Sequence, residues 1–142
     1  MLSSWVFWAL LSAGFAALTA IFAKIGIENV NSDFATFVRT IVILLSAGLI
    51  VYVTGNWQHP SSIRPKTWLF LLLSGLATGA SWLCYFRALK LGDAARVAPI
   101  DKLSVVFVSI FAVIFLGERL APANWVGVIL IALGAVLVAY RA

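Results

Sequence analysis

The chain has 142 residues, of which 63% are hydrophobic and only 11% charged. A soluble domain is about one quarter charged, so this composition excludes a water-soluble fold, whose exposed apolar surface would be untenable. Ten Lys and Arg against five Asp and Glu give a formal charge of +5, but the bases stand singly between apolar runs, and nucleic acid needs a clustered basic face.

One cysteine, Cys84, and one histidine, His59, are present. They predict no intrachain disulfide, no metal site and no cofactor. A hydrocarbon core about 30 Å thick needs about 20 helical residues, and five stretches fit: residues 5–23, 34–54, 68–89, 97–116 and 125–140. None alternates as a barrel strand does. The fold class predicted is an all-α integral membrane protein with five transmembrane helices, short loops and a single domain over residues 1–142. The first run has no basic leader and no cleavage signal, so it reads as a retained helix.

The first helix repeats small residues at Ser12, Ala16 and Ala20 and ends at Lys24, before a polar loop holding Glu28, Asn31, Ser32 and Asp33. In the second helix Arg39 stands five or six residues in, placed either to snorkel or to pair with Glu28, Asp33 or Asp101. Gly55, Asn56, Pro60 and Pro65 mark the longest loop.

The third helix carries Gly75 and Gly79 in a GxxxG spacing suited to close helix contact. Further on, Trp82, Tyr85 and Phe86 share one face. That face suits an organic cation or a planar metabolite, or packing against a neighbour. Arg87 and Lys90 near its end read as headgroup anchors.

In the fourth helix Asp101 and Lys102 lie one turn inside an apolar run. Two readings stand side by side. Asp101 is a helix-start carboxylate favoured by the macrodipole with a snorkelling Lys102, or it binds a proton or cation in a polar cavity, with Lys102 as a counter-charge. Glu118 and Arg119 follow Gly117 as a gating or loop-fixing pair. The fifth helix places Gly127 and Gly134 along its length.

With an odd number of spans the termini face opposite sides. One side holds Arg64, Lys66 and Arg119; the other holds Lys24, Arg39, Arg87, Lys90, Arg96 and Arg141, with Lys102 near it. Bases concentrate in the cytoplasm, which predicts the N-terminus outside and the C-terminus inside. Trp5, Trp8, Trp57, Trp68 and Trp125 fall at span ends as an interface belt. Trp82 does not, lying about 21 Å along the helix from Trp68. No GxSxG or phosphate-cradling glycine loop occurs, so no enzyme is expected.

Several pieces of the chain, in order, resemble one half of the drug/metabolite transporter superfamily, the EamA-type repeat. Phe37, Val38 and Arg39 look like its arginine after the first loop. The run from Tyr85 to Lys90, followed by Ala94 and Ala95, is similar to its third-helix ending. Leu116, Gly117, Glu118, Arg119 and Leu120, followed by the run from Trp125 to Ala135, match its most recognisable signature. Many such repeats carry a proline in the middle of the fourth helix; here that region reads Leu103, Ser104, Val105 and Val106, with Pro99 earlier.

The resemblance implies half of a ten-helix transporter whose two halves are inverted across the membrane, with the substrate between them. It implies a secondary transporter, or a transporter subunit, moving a small organic metabolite or drug across a bacterial cytoplasmic (inner) membrane. Ion-coupled export is expected, as a homodimer, antiparallel or otherwise, or beside an oppositely oriented homologous subunit. Asp101 is the first residue for coupling, and Trp82 and Tyr85 are the first for substrate. A nontransporting assembly or regulatory subunit and a lipid-linked-sugar flippase are the alternatives.

Overall fold

A computed structural model describes residues 4–140; Met1, Leu2, Ser3 and Arg141, the last counted above toward the basic side, lie outside the described residues. The helices are α1 (Ser4–Gly26), α2 (Ser32–Val53), α3 (Pro65–Leu91), α4 (Ala94–Asp101), α5 (Ser104–Phe115) and α6 (Pro122–Ala139), with one 3-10 turn at Pro60–Ser62. No strand occurs among the described residues. Five stretches are long and apolar enough to cross a membrane, α4 and α5 together forming the fourth, Ala94–Phe115.

The helix starts are set by local chemistry. At α2 the Asn31 side chain accepts from the Asp33 and Phe34 amides at 2.8 and 3.2 Å, satisfying donors that the helix leaves free. Pro65 and Pro122 open α3 and α6, where the missing N–H costs nothing. Both helices therefore begin three residues before Trp68 and Trp125, the first residues of the predicted spans.

Two helix ends use glycine for a left-handed turn. Gly55 has φ +67°, with its amide on the Tyr52 carbonyl and the Asn56 amide on that of Val51, both at 3.2 Å. That pair of bonds closes α2 in a Schellman turn. Gly117 also has φ +67°, and the Glu118 amide folds back to the Ala112 carbonyl at 3.1 Å.

The fourth span departs from the continuous helix predicted over residues 97–116. Its start moves back to Ala94, where the Asp93 carbonyl accepts from Arg96 and Val97 at 3.0 and 2.9 Å. It is interrupted just after Asp101. Leu103 donates to Ile100, Val105 to Lys102 and Val106 to Leu103, each at 3.0 Å; this spacing of three residues is the tighter 3-10 pattern. Pro99 lies one turn before this stretch, and its absent N–H removes the bond that the Ala95 carbonyl would accept.

Two compact units divide the chain: residues 1–24 with 91–142, and residues 25–90. In the first, α6 packs against α4 and α5, and the buried residues are the small Ala20, Ala112 and Ala135, as close backbone approach in lipid requires. Phe107, Phe111 and Phe115 form an outward ladder on α5, with ring centroids 6.5 and 5.9 Å apart. In the second unit Ile27, Thr36, Phe86 and Leu89 are buried. A Cβ added at Gly75, Gly79, Gly127 or Gly134 would meet nothing within 4 Å, so none of these glycines makes a close helix contact among the described residues.

Replacing Gly117 with Ala forces a side chain into a left-handed backbone, a cost of about 1–2 kcal/mol. Gly14→Ala in α1, in open space, gains about 0.5–1 kcal/mol in helix propensity. Thermal unfolding of the detergent-solubilised protein is expected to fall for the first variant and hold or rise for the second.

Candidate functional site

The richest polar arrangement joins α2 and α3 in two layers. The outer layer is an ion pair. Asp33 stands in the first turn of α2, where the dipole favours a carboxylate, and Arg87 near the last turn of α3, where it favours a cation. Arg87 donates through Nε to Asp33 Oδ1 at 3.0 Å and through Nη2 to Oδ2 at 2.7 Å, a two-pronged match of planar groups. Lys90 Nζ donates to the Val30 carbonyl. Arg87 and Lys90, expected to anchor in headgroups, also tie the α1–α2 connection and the start of α2 to the end of α3.

The inner layer lies about 9 Å further along α2. The Arg39 guanidinium carbon sits 4.5 Å from the centre of the Trp82 ring and 5.3 Å from that of Phe86, within the range of cation–π attraction. Phe86 is buried, while Arg39, Trp82 and Tyr85 are half-buried. The Tyr85 and Phe86 rings meet edge to face at 6.4 Å.

Arg39 thus does not take the carboxylate partner that its position suggested. Asp33 has both oxygens committed to Arg87, and among the described residues Arg39 forms no ion pair with any acid. The neighbouring hydroxyls are also committed: Thr36 donates to the Ser32 carbonyl at 2.9 Å and Thr40 to that of Thr36 at 2.8 Å. The aromatic face predicted on α3 exists, and its cation is the protein's own. Depth was the signal: Trp82 broke the interface belt, and Arg39 stands at a matching distance from the same polar connections.

In the other unit Asp101 and Lys102 occupy the interruption between α4 and α5. Their charged groups are 3.6 Å apart, with side chains 35% and 56% exposed. On a regular helix neighbours diverge by about 100°; here Lys102 closes α4 and turns back toward Asp101. Arg96 donates to the Ala139 carbonyl at 3.2 Å, capping the end of α6, and lies 4.0 Å from Asp93. Lys24 Nζ donates to the Gly92 carbonyl at 2.7 Å. Glu118 and Arg119 are exposed after Gly117 and form no ion pair with each other; the turn there is fixed by backbone.

Set within five apolar spans, this arrangement has a clear counterpart among known sequences. The EamA-like transporter family matches residues 3–140. The chain belongs to that family. A Sinorhizobium sp. protein named as an uncharacterized transporter in the cobO 3' region is 68% identical over 98% of the chain and 99% of its own length. Mouse solute carrier family 35 member F6 is 28% identical over 66% of the chain; the match spans 26% of that larger protein. No solved structure matches. As an EamA family member with five long apolar helices, the protein is a multi-pass membrane protein of a transporter family.

If the Trp82 ring holds Arg39, truncating both loses less than the sum of the two single losses. A double-mutant cycle of Arg39→Met and Trp82→Leu, read by unfolding in detergent, is expected to give a coupling of about 1 kcal/mol. Arg39→Met with Leu72→Ala on an outward position of α3 is expected to be additive.

Proposed function

We propose that this EamA family protein is a secondary transporter, or a transporter subunit, that exports a small organic metabolite across a bacterial inner membrane using an ion gradient. The observation that carries the reading is Arg39, a charge inside an apolar span that rings hold and no carboxylate neutralises. Ionisable groups at such positions are costly and mark solute or ion pathways. Membership of a family described as transporters, and a relative of the same length named as one, support the same reading.

In this reading Arg39, Trp82 and Tyr85 form the solute-contacting surface. Asp101 carries the coupling ion, with Lys102 as a nearby positive charge that competes for it. The interruption after Asp101 supports that role, since discontinuous membrane helices expose backbone carbonyls where coupling ions bind in other transporters. A second copy of the chain, or an oppositely oriented homologue, completes the ten-helix arrangement. The charge distribution favours the N-terminus outside and the C-terminus in the cytoplasm.

Proteoliposomes loaded with a cell metabolite extract are expected to lose a defined compound when a proton or sodium gradient is imposed, as read by mass spectrometry. Asp101→Asn is expected to remove the gradient dependence while the protein still folds; unchanged dependence would sink the coupling role. For orientation, cysteines at Ser62 and Glu28 in a Cys84→Ser background are labelled from either side. Labelling of both sites from both sides supports an antiparallel homodimer. Strict sidedness excludes it and leaves a parallel assembly or an oppositely oriented partner.

A further inference from the structure

The Arg39 guanidinium lies over the rings of Trp82 and Phe86. Its five N–H donors lie in the plane of the group. The π-faces of Trp82 and Phe86, 4.5 and 5.3 Å away, attract the charge but take no in-plane hydrogen bond. Acceptors at this end of α2 are engaged elsewhere: Asp33 with Arg87, and the Ser32 and Thr36 carbonyls with threonine hydroxyls. Among the described residues, no acid forms an ion pair with Arg39. A half-buried charge that rings flank and no carboxylate neutralises leaves room for an anionic partner.

We propose that Arg39 is the anion-recognition residue of this transporter, taking a carboxylate or phosphate of the transported solute while Trp82 and Phe86 flank its charge. The assignment rests on the transport reading above and narrows its substrate class. An arginine rather than a lysine suits the task, because its fork matches either oxyanion with two parallel bonds. The same geometry disfavours an organic cation. The aromatic face that would attract one already carries a positive charge, and a second would be repelled. An anionic lipid headgroup offers the same chemistry, so the test separates the two sources.

The protein is reconstituted in neutral phosphatidylcholine nanodiscs and treated with phenylglyoxal, which modifies arginine, and peptide mass spectrometry reads each site. Exposed Arg64 and Arg119 serve as internal references. Sodium benzoate and inorganic phosphate are the anionic probes, and benzyl alcohol is the neutral one. Modification of Arg39 is expected to slow hyperbolically with at least one anion, by about tenfold at ten times its half-effect concentration, while Arg64 and Arg119 keep their rates and benzyl alcohol has no effect. A flat response to both anions, or equal protection by benzyl alcohol, overturns the proposal. Protection seen only when phosphatidylglycerol replaces phosphatidylcholine assigns Arg39 to a headgroup and likewise overturns it. The transport reading fails separately. Protection without any gradient-driven solute loss overturns transport and keeps the oxyanion site; transport without protection keeps transport and removes anions as its substrates.

Discussion

A positive charge in hydrocarbon has to be compensated, and the pairing of α2 with α3 is organised by how this chain compensates two of them. Arg87 takes the strong solution, a two-pronged bond to Asp33 at the ends of both helices, where the helix dipoles favour each sign. Arg39, deeper, takes the weaker one, resting on Trp82 and Phe86. The two layers depend on each other through register. The Asp33–Arg87 fork fixes how far α2 runs past α3, and that offset places residue 39 against residues 82 and 86.

The division of labour also decides the charge of the inner layer. Had Asp33 faced Arg39, the inner layer would be neutral and closed, and the aromatic residues would be ordinary packing. Because the carboxylate is consumed one layer out, the inner layer keeps its charge. In the other unit the logic is reversed: Asp101 and Lys102 stand side by side where the span tightens, 3.6 Å apart, so charge there is locally balanced.

Much of the fold was legible because hydrocarbon imposes length and composition on anything that spans it. Five apolar runs became five crossings, and Gly55 and Gly117 ended helices as their types demand. The helix starts at Pro65 and Pro122 were misplaced because tryptophan marks the interface, whereas proline marks the first helical turn. The tightened stretch after Asp101 was hidden, since Leu103, Ser104 and Val105 read as ordinary apolar helix and hydrogen-bond spacing leaves no compositional trace. At the site, Arg39 and the shared face of Trp82, Tyr85 and Phe86 were each visible. That Arg39 lies over that face was not, because depth within a span is countable from sequence while the facing of two helices is set by contacts such as the Asp33–Arg87 fork.

The tightened turn between α4 and α5 also has a rotational consequence. A residue in 3-10 geometry advances about 120° around the axis, against about 100° in an α-helix. Across the roughly four residues involved, the wheel of α5 is turned by about 80° relative to one drawn straight through from α4. The Phe107, Phe111 and Phe115 ladder therefore looks in a different direction from the one that a single continuous helix would give it. The aromatic face of α5 is thus set by the hydrogen-bond pattern one turn upstream of it rather than by its own sequence alone.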